Sequence, residues 1–394
     1  MKILCFIDSL GSGGAQRQLV TLTVKLMKRG HQIRFLVYRI DDHFLPILQV
    51  AGIPVQVIAP CSYLRRLFIV RKVLRQGWQD VVLAFLGASS LYAELSSIPS
   101  KKWGLVVGER SANPSISNGG GRWKRQFHRM ADAVVCNSYT NQLLLEASFP
   151  FLQKKLCTVY NTVDLKLFRF SSDNDNTRVY GSAKSFRIVV AATYNGNKNM
   201  VNLAKALLIL KEEHITPSIL VDWFGDSHSD PAAFNQIERF VAENGLEGFF
   251  RLHHTIQDIA SEYYHADAIG LFSFYEGLPN VICEGMVCGK PILLSNVCDA
   301  SNLVEDGKNG FLCDPGSPED IAEKIQRLVT LSDLERQKMG LESRRMAEHL
   351  FNDDKVIDRY EQILTFASRH ELLPINCCWP TEAPESAVKS VLQW

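Results

Sequence analysis

The sequence predicts an α/β protein with two doubly wound domains. At 394 residues the chain is longer than one compact hydrophobic core normally supports. Short apolar runs, typical of strands buried on both faces of a parallel sheet, alternate with amphipathic segments of helical period. The polar stretch at 171–185, SSDNDNTRVYGSAKS, has the composition of an interdomain linker and separates two such series.

The composition is that of a globular protein rather than a membrane-spanning or secreted one. Hydrophobic residues make up 46% and charged residues 22% of the chain. No apolar run approaches the roughly 18–20 residues that span a bilayer. The first residues, MKILCFIDSLGSGGAQ, have the pattern of a first β-strand and not of a signal peptide. The ten cysteines lack metal-ligand spacing, so we expect reduced thiols and a cytoplasmic location.

Charge is unevenly distributed, although the formal net charge is only +1. Residues 1–165 hold 21 Lys and Arg against 9 Asp and Glu, a balance of +12, and the remainder has a balance of −11. A basic half joined to an acidic half suggests that the first half meets an anionic partner. We do not expect that partner to be nucleic acid.

The first half begins with a strand at 1–8, a glycine turn and a helix from about 15 to 28. The turn lacks the full G-x-G-x-x-G pattern because Arg17 stands at the third glycine's position, which disfavours nicotinamide binding. Further strands are predicted at 33–38, 55–58 and 80–85.

A strand that runs into a polar loop lies at 105–114, LVVGERSANP. Ligands of doubly wound domains bind at the carboxyl ends of strands, so we expect Glu109 and Arg110 at that edge. The alternative is that these two side chains form a solvent-exposed ion pair.

The second half repeats the alternation of strands and helices. A strand at 186–192 leads into a polar loop, TYNGNKN, at 193–199, and a second strand at 219–225 ends in glycine. The segment 251–255, RLHHT, precedes a helix at 258–265. His253 and His254 are candidate ligands, although a solvated or base-stacking role is favoured. A last amphipathic helix is predicted at 354–366.

The most informative stretch is 272–290, FSFYEGLPNVICEGMVCGK. It predicts a strand that ends near Ser273, a tight loop and a short helix, with Asn280 as N-cap and Gly289 as C-terminal cap. The early helix offers backbone N–H groups and the positive end of a dipole. Glu276 and Glu284 supply carboxylates, which can accept both hydroxyls of a vicinal diol. The alternative is that both glutamates only favour the helix electrostatically.

The segment EGLPNVICE at 276–284 resembles the E-x7-E motif of retaining glycosyltransferases of the GT4 type, which have the GT-B fold. GKPI at 289–292 is similar to the family's G-x-P-V turn, and LVEDGKNGFL at 303–312 to its G-x-N-G-F/L-L hairpin. GERSANP resembles an S-E-R-N-x-P variant found in enzymes that extend bacterial surface glycans.

The resemblance implies two Rossmann-like domains facing a cleft. It places an acceptor-binding domain at 1–168, a linker at 169–185 and a nucleotide-sugar-binding domain at 186–350. A helix at 351–368 would cross back onto the first domain, and the tail at 369–394 has no predicted role.

The implied activity is transfer of a hexosyl or N-acetylhexosaminyl unit, with retention, from a nucleotide sugar. A UDP-sugar is the favoured donor, and the acceptor is a glycan or polyprenyl-linked glycan in surface polysaccharide assembly. No cofactor or metal is implied, and the D-x-D triplet at 173–175 is discounted because it lies in the linker. The alternatives are an epimerase of nucleotide sugars on the same fold and a non-catalytic relative that only binds them.

The resemblance also assigns roles to individual residues. Lys198 would bind the diphosphate, and Thr193 stands where the family has an arginine. Glu276 would hold the donor sugar and Glu284 the ribose. The donor site is completed by the turn and loop residues Gly13, Gly14, Thr255, Ile256, Gly277, Leu278, Pro279 and Asn280.

Three residues are predicted to be catalytic: Glu276, Lys198 and Arg110. Arg110 would share the stabilisation of the leaving diphosphate that the missing family arginine normally supplies. The acceptor side is assigned to Glu109, Arg110 and Asn113.

Two basic segments predict peripheral membrane association. Residues 62–76, SYLRRLFIVRKVLRQ, and 121–130, GRWKRQFHRM, mix apolar and cationic side chains in the manner of interfacial helices. We therefore expect an anionic membrane surface, at the inner face, as a partner. The alternative is that the apolar residues pack on the sheet and the cations are merely exposed.

Overall fold

The computed structural model describes residues 1–110, 120–165, 168, 185–214, 218–228, 230–374 and 377–393. The chain forms two compact units. The first comprises Met1–Thr162, Phe351–Ala383 and Val391–Trp394, and the second comprises Val163–Leu350 and Pro384–Ser390. The predicted linker at 169–185 lies outside the described residues apart from Ser185, as does the D-x-D triplet.

The first unit contains a parallel sheet of seven strands in the order β3-β2-β1-β4-β5-β6-β7. The strand order reverses between β1 and β4, as in a doubly wound fold. The predicted strands at 33–38, 55–58 and 80–85 are confirmed within one or two residues. The strands are β1 (Lys2–Phe6), β2 (Gln32–Val37), β3 (Val55–Val57), β4 (Val81–Phe85), β5 (Gly104–Glu109), β6 (Ala133–Cys136) and β7 (Leu156–Thr158).

Helices cover both faces of this sheet, which explains why its strands are almost continuously apolar. Along β1, Ile3 and Cys5 belong to the core on one face, and Leu4 and Phe6 to the core on the other. The helices are α1 (Gly14–Lys28), α2 (Leu45–Val50), α3 (Tyr63–Arg75), α4 (Gly87–Ser96), α5 (Gly120–Arg125) and α6 (Tyr139–Ser148).

The second unit contains a parallel sheet of six strands in the order β10-β9-β8-β11-β12-β13, with a reversal between β8 and β11. The strands are β8 (Phe186–Ala191), β9 (Ile219–Gly225), β10 (Phe250–His254), β11 (Ala268–Leu271), β12 (Ile292–Ser295) and β13 (Gly310–Cys313). The helices are α7 (Met200–Glu212), α8 (Pro231–Glu243), α9 (Ile259–His265), α10 (Asn280–Val287), α11 (Ala300–Leu303), α12 (Pro318–Thr330) and α13 (Asp333–Leu350).

Two helices follow: α14 (Asp353–Ser368), which lies in the first unit, and α15 (Glu385–Gln393). The predicted stripe of α14 is buried in the first core, where Val356, Tyr360 and Ile363 pack. Gly104 permits a close approach, because a Cβ there would lie 2.4 Å from the carbonyl oxygen of Ala367 at the end of α14. The tail continues into the same core through Trp379.

Two local predictions need correction. The strand before the central loop ends at Leu271 rather than near Ser273. Asn280 is the first residue of α10, and Pro279 occupies the N-cap position without a side-chain cap bond. Beyond β7, Val159 makes an isolated bridge to Trp379. Gly289 follows the end of α10 with φ +69°, as expected for a C-terminal cap.

Candidate functional site

The loop between β8 and α7 is held at the carboxyl edge of the second sheet by asparagine side chains. Asn199 has a left-handed backbone with φ 62° and is buried. Its Nδ2 donates to the carbonyl oxygens of Phe272 at 3.0 Å and Pro315 at 2.7 Å. The loop is therefore fixed to the segment after β11.

Asn197 joins the same two segments. Its Nδ2 donates to the carbonyl oxygen of Tyr275 at 2.9 Å, and its Oδ1 accepts from the Tyr275 N–H at 3.2 Å. Its carbonyl oxygen accepts from the N–H of Phe274 at 2.9 Å. These bonds hold the loop that carries Lys198 and the loop that carries Glu276 together as one surface.

Lys198 and Glu276, two predicted catalytic residues, meet on this surface. Lys198 Nζ lies 2.5 Å from Glu276 Oε1, and their side chains are 19% and 16% exposed. The N–H of Glu276 donates to the Cys298 thiol at 3.3 Å. The two charges compensate each other, and both side chains are partly exposed near the strand ends, where ligands of such sheets bind.

Helix α10 begins beside this pair. Its first turn holds no acidic residue, so the positive end of the helix dipole can favour an anion. Leu278 and Pro279 are buried, whereas Gly277 and Asn280 are half-buried. Glu284, one turn into the helix, is only 4% exposed. A carboxylate at this position can accept hydrogen bonds from both hydroxyls of a diol.

The end of β10 leaves Thr255 and Ile256 exposed, as a contact for a nucleotide base requires. His253 contacts other residues of the protein: its Nε2 lies 2.8 Å from Asp222 Oδ1, and its ring stacks on Phe224 with the ring centres 4.5 Å apart. Burial raises the pKa of Asp222, but hydrogen bonds from His253 and Arg187 outweigh it and hold that pKa below its usual value. This arrangement makes His253 part of the protein's own packing.

Thr193 lies at the family's arginine position and is exposed. Its Oγ1 accepts a hydrogen bond from Asn195 Nδ2 at 2.8 Å. The side chain supplies no positive charge, so Lys198 is the cation that this loop brings to the surface.

In the first unit, Gly13 is the N-cap of α1 and Gly14 its first residue, and both are exposed. A Cβ at Gly13 would meet only the end of the flexible Gln16 side chain, 2.3 Å from its Oε1, so the turn presents bare backbone without a rigid obstruction. A backbone of this kind can approach a phosphate closely.

Glu109 lies at the end of β5 and is buried, so the alternative of a solvent-exposed pair with Arg110 is wrong. Its Oε1 lies 3.0 Å from His128 Nε2 and its Oε2 3.1 Å from Arg125 Nη2. His128 Nδ1 lies 2.5 Å from Glu94 Oε1. We call Glu94, His128, Glu109 and Arg125 the buried charge cluster.

The pKa values of His128, Glu109 and Glu94 in this cluster are shifted from their ordinary values. Burial opposes charge on both His128 and Glu109, but their mutual hydrogen bond prevails. The pKa of His128 rises to about 9 and that of Glu109 falls to about 2. Burial raises the pKa of Glu94.

Arg110 is held by neighbours in its own unit. Its Nη1 donates to Asn161 Oδ1 at 3.1 Å, its Nη2 donates to Tyr360 Oη at 2.6 Å, and its guanidinium lies 3.9 Å from the centre of the Phe85 ring. Asn113, the remaining acceptor-side residue, lies outside the described residues.

The sequence interpretation missed Asn197, which joins the loop of Lys198 to the segment before Glu276. It also missed Cys298 and His128, which contact the predicted site residues Glu276 and Glu109. The polar loop TYNGNKN could have suggested Asn197. Nothing in local spacing identifies Cys298 or His128, because their partners are distant along the chain.

Two further findings bear on the kind of site. Within the described residues, no group of three or more His, Cys, Asp and Glu side chains is arranged to hold a metal ion. Of the helices described, none combines the length and apolar character needed to cross a membrane.

The architecture of two Rossmann-like domains, each with a binding edge at its strand ends, is the GT-B glycosyltransferase fold. The HepE protein of Anabaena, solved with UDP and glucose, superposes with a TM-score of 0.78 at 22% identity, over 93% of this chain and 99% of that one. At that identity the likeness shows the fold alone.

Sequence comparison identifies the family. Residues 173–346 match Glycosyl transferases group 1, and residues 12–167 match Glycosyltransferase Family 4. Spore coat protein SA of Bacillus subtilis is 28% identical over 58% of this chain, a match that spans 63% of that protein. An alpha-1,4-N-acetyl-D-galactosaminyltransferase of Campylobacter jejuni, whose name includes a PP-undecaprenol-linked saccharide, is 23% identical over 84% of this chain and 89% of that protein.

The chain therefore belongs to the GT4-type group 1 glycosyltransferases. It is a glycosyltransferase that acts in polysaccharide or glycoconjugate biosynthesis.

Proposed function

We propose that the protein transfers a hexosyl or N-acetylhexosaminyl unit from a UDP-sugar to a glycan or polyprenyl-linked glycan, with retention at the anomeric carbon. The observation that carries the proposal is the Lys198–Glu276 pair beside the start of α10, with Glu284 buried one turn further on. The UDP in the HepE structure and the saccharide in the name of the Campylobacter relative support the donor and acceptor classes.

The donor would lie along the edge of the second sheet. Lys198 and the start of α10 would receive the diphosphate, because the lysine charge and the positive end of the helix dipole converge there. Glu284 would accept from the ribose hydroxyls, and Glu276 from hydroxyls of the donor sugar. Thr255 and Ile256 offer an exposed backbone and an apolar side chain to the base.

The chemistry follows from where charge develops. As the bond between the anomeric carbon and the phosphate oxygen breaks, negative charge grows on the diphosphate, and Lys198 and the α10 dipole stabilise it. The acceptor oxygen forms the new bond on the same face, and its proton passes to the released phosphate oxygen. No protein base is needed for this step, and none is assigned.

Arg110 would add a second cation on the phosphate side. Its two terminal nitrogens already donate to Asn161 and Tyr360. To contact the diphosphate, Arg110 would have to reach it from its present position or exchange these partners for phosphate oxygens. We also propose that no metal takes part, and we expect transfer to continue unchanged in EDTA. Loss of activity in EDTA that Mg²⁺ restores would contradict this.

The test is a panel of nucleotide sugars screened by thermal shift and then by transfer, because a ligand that binds the folded state raises the melting temperature. UDP-hexoses and UDP-N-acetylhexosamines should stabilise the protein and be consumed only with an acceptor. Release of an altered nucleotide sugar without acceptor would establish the epimerase alternative. Stabilisation without any turnover would establish the non-catalytic one.

We further propose that α3 docks on an anionic membrane. Tyr63, Leu64 and Phe68 are 80%, 72% and 68% exposed, a cluster of large apolar side chains on one helix. Arg65 and Lys72 are exposed on the same helix. An interfacial helix combines these two features.

Other cations of α3 serve the fold instead. Arg66 lies over the Tyr38 ring at 4.3 Å, and Arg71 donates to the carbonyl oxygens of Ser96 and Ile98. A test that removed them would confuse unfolding with loss of binding. The membrane variant is therefore Arg65→Ser/Phe68→Ser/Lys72→Ser.

Flotation with liposomes of graded anionic content tests the proposal. Binding of the wild type should increase with anionic lipid and decrease with salt. The triple variant should remain unbound while keeping its melting temperature. The exposed pair Lys205→Ser/Lys338→Ser is the control for lost charge. Equal recovery of the wild type without lipid at every composition would refute membrane docking.

A further inference from the structure

We propose that α15 is a positioning element of the donor-sugar site, which acts by holding the segment that fixes Glu276. This inference rests on the proposed donor role of Glu276. It concerns a part of the chain that lies beyond both family matches, which end at residues 167 and 346.

The first step is the contact between α15 and residues 298–301. Ser386 Oγ donates to the carbonyl oxygen of Cys298 at 2.6 Å and accepts from the N–H of Ser301 at 3.0 Å. Ser390 Oγ accepts from the N–H of Cys298 at 2.8 Å. Two serines one helical turn apart thus bind both backbone groups of Cys298.

The second step is the conformation that these bonds hold. Cys298 has φ 54°, a left-handed backbone that a residue with a side chain adopts at a cost of about 1–3 kcal/mol. Such a conformation persists where its surroundings over-determine it. The bonds from Ser386 and Ser390 are surroundings of that kind.

The third step leads from Cys298 to Glu276. The Cys298 thiol accepts the N–H of Glu276 at 3.3 Å. Cys298, Asp299 and Ala300 also line a cavity of about 10 Å³ together with Glu276 and Gly277. The cavity has room for a single water. If residues 298–301 shift, both the bond to the Glu276 backbone and this wall are lost.

The shape of α15 agrees with a docked role. Ser386, Ala387 and Ser390 are buried, whereas Val388 is 43% exposed and Lys389 is also exposed. The hydroxyls therefore lie on the buried face, where each has a partner. A helix that merely ended the chain would have no need to bury two hydroxyls against one residue.

The experiment compares Ser386→Ala/Ser390→Ala with Lys389→Ala, a control on the exposed face of the same helix. With the UDP-sugar that the wild type uses, the full-length double variant should have a kcat about tenfold lower. A tenfold loss corresponds to about 1.4 kcal/mol of transition-state stabilisation, as expected when one contact is lost. The affinity of the double variant for UDP alone should stay within about twofold, because Glu284 and Lys198 are not held by α15. Lys389→Ala should have the kcat of the wild type. Ser390→Thr keeps the hydroxyl, so its kcat should be close to the wild-type value and higher than that of Ser390→Ala.

A second measurement is independent of activity. Amide hydrogen exchange of a peptide covering 273–279 should be faster in the double variant, because the Glu276 N–H loses its fixed acceptor. Unchanged exchange and unchanged kcat would overturn the inference, as would a parallel loss of UDP affinity and global stability. A wild type that uses no nucleotide sugar, combined with faster exchange in the variant, would refute the proposed function and keep the positioning role of α15.

Discussion

The two units use the charged side chains at their strand ends in different ways. In the first unit, Glu109 at the end of β5 is buried and neutralised by His128 and Arg125. In the second, Lys198 and Glu276 form a pair that remains partly exposed at the sheet edge. At the end of β5 the charge is neutralised inside the protein, whereas at the end of β11 a cation and a carboxylate remain where a ligand can reach them.

This difference separates residues that stabilise the fold from residues that serve a ligand. A buried charge must be paired within the protein, and removing its partner is costly. A partly exposed pair contributes little to stability, so its charges can be exchanged for those of a substrate. We therefore expect substitutions in the buried charge cluster to act on stability, and those at the second edge to act on binding and turnover.

The largest effect is expected from His128→Gln, which leaves Glu94 and Glu109 without the cation between them. Breaking a buried pair in this way costs about 3–5 kcal/mol of unfolding free energy. Urea unfolding should show the loss, and Lys389→Ala, at an exposed position, should show none. Wild-type stability in His128→Gln would mean that the cluster does not hold the first unit together.

The same cluster predicts a pH profile. The raised pKa of His128 stabilises the fold. This contribution is complete when the pH is below about 6.5, the pKa of histidine in the unfolded chain, and it is lost as the pH rises through about 9. The lowered pKa of Glu109 stabilises the fold above its unfolded value near 4.3, and this contribution is lost as the pH falls through about 2. The alkaline loss should be absent from His128→Gln.

Lys198→Ala should affect catalysis and leave the fold intact. Removing a donor that stabilises charge in a transition state lowers kcat by about 10²–10³-fold. Lys205→Ala, an exposed lysine on α7, is the matched control and should retain full activity. A near-wild-type kcat in Lys198→Ala would show that the loop is not the phosphate site.

Glu284→Gln should weaken binding of UDP rather than the chemical step. Glutamine nearly preserves the volume at this buried position, but it lacks the charge that strengthens hydrogen bonds to the ribose. The expected loss is about 2 kcal/mol, or roughly 30-fold in Kd by calorimetry. If affinity for UDP is unchanged while the melting temperature falls, Glu284 is a packing residue.

Thr193→Arg should have the smallest effect, and it tests the departure from the family pattern. The position is exposed, so the substitution should change stability by less than about 0.5 kcal/mol. A cation facing a diphosphate should tighten UDP binding by up to about fivefold, as expected of an exposed ion pair. Thr193→Val, which adds no charge, should not tighten it. Weaker binding in Thr193→Arg would place the diphosphate elsewhere.

The sequence was sufficient to predict the fold class, the family, many of the parallel strands and a few of the helices. The parallel strands were predictable because burial on both faces makes each one a short apolar run. The loop and start of α10 were predictable because Glu276, Pro279, Asn280 and Glu284 lie within nine consecutive residues. Interactions that are local in sequence leave a local pattern.

Only the tertiary structure determines which distant segments of the chain contact each other. Glu109 was expected at the ligand edge, with an exposed pair with Arg110 as the alternative, but the fold places His128 and Arg125 against it. Lys198 meets Glu276 across 78 positions because β8 and β11 are neighbours in the sheet. The tail had no predicted role, yet Ser386 and Ser390 bind Cys298. Strand order and helix docking determine such contacts, and neither is encoded in the spacing of nearby residues.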